Sequence, residues 1–242
     1  MILMKTRINN LTNLIKQRDY RKIAFRLLSL IPSNIFVYNR FYFVYCHKFE
    51  TKHLRPLKRE YTLKVTTPSK QQIEKIKLDL DDSELNWAIN HFRITRERKD
   101  TKVLTIEKDT RCIAVVFVRT LNKFISPSGF PLDFGDHLFA TWILYTQVHP
   151  DFRLKGYHVN LLFHAYQLSQ NDNSLGLFGE IHYMNRASIQ SHAKLGFNVY
   201  KNVQYVKIIG KTFFWETKNG FWCVKQRKNT QPQVARQDIL NH

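Results

Sequence analysis

A chain of 242 residues that is 43% hydrophobic and 14% aromatic can bury one full-sized core, which excludes a disordered polymer. Its three cysteines, Cys46, Cys112 and Cys223, are odd in number and far apart. They exclude a CxxC pair, a zinc spacing and a disulfide framework, and they suit a reducing compartment. The net charge of +19 is uneven, because residues 1–64 hold 14 of the 38 Lys/Arg and three of the 19 acidic residues. The middle of the chain is then only modestly positive, which suits an anionic cofactor, whereas the basic ends suit a polyanion or an acidic membrane surface.

In chain order, the first predicted element is a helix over residues 8–31. Leu11, Leu14, Ile15, Ile23, Leu27 and Leu28 form one face and Arg18, Lys22 and Arg26 another, ending at Pro32. An aromatic-rich run, Phe36–Phe49, and more basic residues through Arg59 follow. Residues 1–59 are therefore expected to form a basic amphipathic extension. It would lie on an anionic membrane surface, or pack on the core or on a second subunit in a homodimer. Early charge without an apolar h-region gives no signal peptide. The uncharged stretches fall short of the about 20 residues that a spanning helix needs. The expectation is a cytoplasmic protein, peripheral on the membrane if the extension touches lipid.

From residue 60 strands and helices alternate. Strands are predicted over Tyr61–Thr67, Lys102–Lys108 and Arg111–Leu121, with helices over Gln71–Leu78 and from an N-cap at Ser83 through Arg98. A long Pro/Gly/Ser/Asp-rich loop, Asn122–His137, comes next. Then follow a strand Leu138–Val148, a helix Lys155–Gln170, a strand Gly176–His182, a helix Asn185–Leu195 and a strand Phe197–Val203. A hairpin of Val206–Glu216 and Phe221–Lys225 turns at Asn219-Gly220. This order predicts an α/β domain over 60–226 with one central sheet, and a basic polar tail over 227–242.

The segment Val148-His149-Pro150-Asp151-Phe152-Arg153-Leu154-Lys155-Gly156-Tyr157-His158 joins a buried strand to a helix. Such a junction aims free backbone N–H groups and the helix dipole at one point outside the sheet. Arg153 and Lys155 add charge there, and Gly156 permits close approach of a ligand. An ordinary strand-to-helix turn with two solvated cations would read the same way in isolation. The segment resembles the coenzyme A loop of the GCN5-related N-acetyltransferase (GNAT) superfamily, Arg/Gln-x-x-Gly-x-Gly/Ala after a strand ending Val-x-Pro. Val148, Pro150, Arg153 and Gly156 match, while His158 stands where the family carries a small residue. A second stretch, Asn185 to Phe197, is similar to the family's Asn-x-x-Ala-x-x-Leu-Tyr-x-Lys-x-Gly-Phe. Asn185, Lys194, Gly196 and Phe197 are identical to it, and Ser188 replaces the alanine.

The resemblance implies a mixed central sheet with two splayed strands, flanked by helices. It implies acetyl-coenzyme A, or another acyl-coenzyme A, as co-substrate and a small-molecule primary amine as acceptor. Val148, Arg153, Leu154, Lys155, Gly156, Tyr157, His158, Asn185 and Ser188 are the residues it would place on the coenzyme. It also implies direct attack of the amine on the thioester, which needs a base for the amine, a donor for the oxyanion and an acid for the thiolate. His192 holds the position of the family's tyrosine acid, with Tyr183 and Tyr157 as substitutes. Glu180 and His182 share one side of a strand and are the candidate bases. The structural alternatives are a satisfied buried histidine and a glutamate salt-bridged to one of the many cations. Asp133, Asp136 and His137 could attract an acceptor but are also ordinary turn formers. No metal site is expected. Charge and interleaved aromatics would suit a nucleic-acid binder, yet no helix-turn-helix or zinc motif accompanies them. A degenerate acyl-coenzyme A-binding or interaction module is the other alternative.

Overall fold

The computed structural model describes residues 36–94, 100–209, 211–218 and 221–225. The helix predicted over 8–31 and the tail 227–242 lie outside them. The elements are β1 (Phe36–Cys46), β2 (Tyr61–Thr66), α1 (Lys70–Leu80), α2 (Ser83–His91), β3 (Thr101–Lys108) and β4 (Arg111–Leu121). Then come β5 (Lys123–Ile125), β6 (Pro131–Asp133), β7 (Ala140–Val148), α3 (Tyr157–Asn171), β8 (Leu177–His182) and α4 (Arg186–Lys194). The last are β9 (Asn198–Ile208), β10 (Lys211–Lys218) and β11 (Phe221–Lys225).

The described residues divide into two compact units, 42–200 and 36–41 with 201–225. In the smaller unit the strand order is β11-β10-β9-β1. β9 and β10 are antiparallel from Lys211↔Ile208 to Glu216↔Val203. The Tyr38 hydroxyl donates to Gln204 Oε1 at 2.9 Å, and Phe41 stacks on Tyr205. Val206–Ile208 continue β9 instead of opening the next strand, so the predicted hairpin arm begins at Lys211.

In the larger unit the order is β1-β8-β7-β4-β3-β2. β2, β3, β4 and β7 are antiparallel neighbours, whereas β7 and β8 are parallel. A parallel pair needs a crossover, and α3 is that crossover. Its Leu161, Leu162 and Ala165 pack with Leu104, Ile106, Val116, Val118, Leu177 and Ile181 on one face of the sheet. Because strand side chains alternate, Trp142 and Phe178 point to the other face, where Phe124 and Phe134 meet them. This is the mixed sheet flanked by helices that the resemblance implies.

Several boundaries differ from the sequence reading, each for a local reason. Asp82, not Ser83, caps α2, its carboxylate accepting from the N–H groups of Glu84 and Leu85. Helix α2 stops at His91, with Phe92 as its C-cap and Arg93 at φ 52°. The loop Asn122–His137 contains the hairpin of β5 and β6. Residues 36–46 form a strand, and Phe43, Cys46 and Phe49 are buried in the larger unit. Part of the stretch assigned to the extension thus packs on the core, one of the placements that its aromatic content allows.

Candidate active site

The parallel pairing of β7 with β8 comprises Thr141↔Leu177 and Trp142↔Phe178. Beyond them the two strands part, and the edge of β7 from Ile143 to Val148 has no ladder partner in β8 among the described residues. A β-bulge accompanies the divergence. Across from β4, Phe117 pairs with Tyr145 and Val118 with Ile143, so Leu144 is the extra residue. Such bulges turn a strand and re-aim its backbone groups. On this stretch Thr146 Oγ1 is buried and makes no hydrogen bond to a described residue. Burial, with the nearby Asp82 and Glu84 carboxylates, holds the Tyr145 phenol above its ordinary pKa. Gln147 Nε2 donates to Asp82 Oδ2 at 2.5 Å.

At the end of β7 a single 3-10 turn, Pro150–Phe152, leads to Leu154 at φ 62° and Gly156 at φ 88°. Two left-handed residues in three turn the chain sharply into α3, and Gly156 is the natural residue for the second of them. The backbone N–H groups of residues 154–159 make no hydrogen bond to a described residue. They converge at the positive end of the α3 dipole. Arg153 and Lys155 are exposed beside them. Arg153 Nε donates to the Val148 carbonyl at 3.3 Å, and Lys155 Nζ donates to the Asp151 carbonyl at 2.8 Å. Leu154 is fully exposed, so its contribution to this turn is its backbone. Tyr157 is buried, its ring 4.9 Å from that of Tyr61. Asn160 Nδ2 donates to the carbonyls of Arg55 and Gly156, which brings the basic segment around Arg55 alongside the turn.

His158 and His192 meet edge to face with ring centroids 5.6 Å apart, joining the first turn of α3 to α4. His158 keeps part of its surface open, but the protein packed around its ring lowers its pKa to about 4, with the neighbouring His192 adding to the effect. His192 is buried, and burial lowers its pKa as well. Its Nδ1 lies 2.8 Å from the Ser188 carbonyl. A carbonyl only accepts, so the neutral ring carries its proton on Nδ1 and leaves Nε2 as an acceptor. Asn185 caps α4 by accepting from Ser188 N–H at 3.1 Å. The side chains of Asn185 and Ser188 are thus engaged in forming α4 and orienting His192.

Glu180 sits on β8, two residues beyond Phe178 and on the same face of the sheet. Burial raises its pKa to about 7, against the opposing effect of hydrogen bonds from Ser126 and Ser128. The Ser128 hydroxyl donates to Oε2 at 3.5 Å, while Oε1 is buried with no hydrogen-bond partner. The salt bridge that excess lysine and arginine would suggest is absent among the described residues. His182, on the same face, accepts at Nδ1 from Met184 N–H at 3.2 Å, and burial lowers its pKa. The Tyr183 ring lies 5.1 Å from that of His182. Asp133 and Asp136 pair with Lys123 at 3.7 and 3.2 Å, and Asp133 also accepts from Gly135 N–H. They serve the β5–β6 hairpin, and His137 is exposed.

Of the residues expected on the coenzyme, Val148 ends β7 and the others fall at two helix starts, which the His158–His192 contact links. Glu180 lies on the sheet face opposite α3. Sequence reasoning missed Ser126 and Ser128, which lay in the long loop. The turn-forming run Ser126-Pro127-Ser128-Gly129 was the available signal. It also missed Thr146, whose unpaired hydroxyl no periodicity reveals.

No protein-family model matches the chain, and no curated protein matches it. Among solved structures, it is similar to the aminoglycoside N-acetyltransferase AAC(6')-Iy in complex with a bisubstrate analog, at 14% identity and a TM-score of 0.42 over 57% of this chain and 91% of that one. An aminoglycoside 6'-N-acetyltransferase from Acinetobacter haemolyticus gives 15% and 0.43, over 56% and 90%. A GNAT-family acetyltransferase from Colwellia psychrerythraea gives 12% and 0.45, over 76% and 57%. At such values the functional reading has to stand on the chain's own residues.

Proposed function

We propose that the chain is an acyl-coenzyme A-dependent N-acyltransferase of the GNAT type, acting on a primary amine of a small molecule. The observation that carries this reading is the parting of β7 from β8 after Trp142 and Phe178. It opens an unpaired strand edge that leads directly into the free N–H groups of residues 154–159. A cofactor with an amide-bearing arm and a pyrophosphate would use both. The arm would take up hydrogen bonds along the β7 edge, and the phosphates would meet the α3 N-terminus with Arg153 and Lys155 beside it. The buried, unpartnered Thr146 Oγ1 fits a site whose polar groups are satisfied by a ligand.

An acyl thioester supplies the electrophile in this reading. The chain's part is to hold it and to manage the proton. Glu180, with a pKa near 7, is partly ionised at neutral pH and suited to accept a proton from an ammonium group or from the attacking amine. The amine nitrogen then bonds to the acyl carbon, and the carbon–sulfur bond breaks to give a thiolate. His192 could protonate that thiolate only after gaining a proton at Nε2, which its burial opposes. A thiol of ordinary acidity, with a pKa of about 8.5, leaves near neutral pH without a strong acid. Glu180 therefore carries more of the chemistry than His192. Among acceptors, amino sugars are the first to examine. The basic N-terminal residues would suit a lipid-linked or nucleotide-linked amino sugar used in surface polysaccharide assembly at an anionic membrane.

The test is release of free coenzyme A from acetyl-coenzyme A by the full chain across amino sugars, amino acids, polyamines and peptides. Thermal denaturation with and without acetyl-coenzyme A accompanies it. A ligand at about 100 times its Kd stabilises by about 2.7 kcal/mol. Stabilisation without release for any amine would favour the binding-module alternative. The absence of both stabilisation and release would overturn the proposal.

A further inference from the structure

We infer that the Ser126–Ser128 turn of the β5–β6 hairpin is a donor cradle that sets the proton affinity of Glu180. Phe130 N–H donates to Ser126 Oγ at 3.2 Å, and a backbone N–H can only donate. Ser126 Oγ lies 2.6 Å from Ser128 Oγ, and Ser128 Oγ donates to Glu180 Oε2. Each hydroxyl has one hydrogen, and either serine hydroxyl can donate to the other. Glu180 draws on the Ser126 hydroxyl, on Ser128 N–H and on the Ser128 hydroxyl. The result is a connected run of hydrogen bonds from Phe130 N–H through the two serines to the carboxylate. Chains of this kind strengthen one another, and they favour the ionised acceptor at their end.

The cradle is held in place by its own backbone. Ser126 N–H donates to the Phe130 carbonyl and Gly129 N–H to the Ser126 carbonyl, at 3.0 and 2.8 Å. β5 and β6 pair from Lys123↔Asp133 to Ile125↔Pro131. Ser126 is itself buried. The hairpin therefore delivers two hydroxyls to a buried carboxylate from a segment remote in sequence. The charged groups around it are otherwise engaged. Lys123, Asp133 and Asp136 of the hairpin pair with one another. His182 shares the Glu180 face of β8 and is bonded through Nδ1 to Met184 N–H. Tyr145, on β7, is held neutral by burial and by Asp82 and Glu84. Without a cation at hand, the serine donors are what offsets burial at Glu180. The serines are positioning residues, acting on the acceptor of the proton and not on the substrate.

This inference concerns the same site as the proposed function, but its test does not need an acceptor. The Glu180 carboxyl carbon is followed by NMR against pH in full-length protein carrying carbon-13 glutamate, with Glu180→Gln identifying the signal. Ser128→Ala and Ser126→Ala are each expected to raise the midpoint by about one unit, and Ser128→Thr to restore it. Unchanged midpoints in variants with wild-type circular dichroism would overturn the inference. So would an equal rise in Ser128→Thr, because that variant keeps the hydroxyl. A raised midpoint in the serine variants together with full coenzyme A release by Glu180→Gln would leave the inference standing and remove Glu180 as the base.

Discussion

Trp142 of β7 and Phe178 of β8 are the last parallel partners before the strands part, and their rings lie 5.2 Å apart. Both are fully buried. Phe124 and Phe134 pack on the same pair, so an aromatic wedge closes the narrow end of the gap from one face of the sheet. Phe178→Ala should cost about 3–5 kcal/mol, as for other large aromatic deletions in cores. The urea midpoint would fall with the m-value unchanged. Phe178→Leu should cost less than half as much. Equal losses for the two variants would mean that the ring shape, and not its volume, holds the strands.

Glu180 makes stability fall as pH rises. Its folded pKa, about 7, lies above the ordinary carboxyl value of 4.5. Between those values the folded state binds more protons than the unfolded state, so the free energy of unfolding declines as pH increases through the window. Burying the ionised group costs roughly 3 kcal/mol above pH 7. Glu180→Gln removes this term. It should be more stable than the wild type at pH 8 and equal to it near pH 4, by urea denaturation. The same variant should lose about 10²–10⁴-fold in rate if the carboxylate takes the amine proton. Its acetyl-coenzyme A affinity would be unchanged.

Much of the larger unit was legible in the sequence because the signals there are local. Alternation in Lys102–Lys108, the turn after it and the periodicity of Lys155–Gln170 depend on neighbours within a few residues. The features that make a site were less legible because their partners are distant. Glu180 reads as a candidate base from its place on an apolar strand, but nothing in that strand announces Ser126 and Ser128, 54 and 52 residues earlier. The aromatic run beginning at Phe36 was separated from the core by its basic flanks. Charge marks a surface but says nothing of what a strand's other face buries.

Gly196 illustrates the same point. Its position after α4 is readable as a helix end, and its φ of +89° agrees. A Cβ there would also collide with the Lys48 carbonyl, and Glu50 N–H donates to the adjacent Leu195 carbonyl at 3.0 Å. The 48–50 segment thus runs hard against the end of α4. Because the obstructing atom is backbone, it cannot rotate away. Gly196→Ala should destabilise by about 2–4 kcal/mol, while Gly135→Ala, which meets nothing within 4 Å, pays only for its left-handed backbone. Thermal unfolding of the two variants separates the terms. Equal losses would leave the close approach to Lys48 without energetic weight.

His158 has the opposite linkage from Glu180. Its folded pKa, about 4, is below the unfolded value of about 6.5. Between these values the unfolded state binds more protons, so stability rises with pH across the window and is lost as pH falls through it. Burial is the larger cause and the facing His192 ring the smaller. The wild type should therefore lose about 2–3 kcal/mol between pH 7 and pH 4 from this group, added to the losses common to acid unfolding. His158→Gln should flatten that part of the profile while remaining folded at pH 7. His192→Gln should do so too, through its own burial, and should ease His158 slightly by removing the second ring. Urea midpoints at pH 4.5 and 7 for wild type and both variants give the comparison. A wild-type profile that His158→Gln leaves unaltered would mean that the ring is hydrated enough to protonate freely at the mouth of the turn.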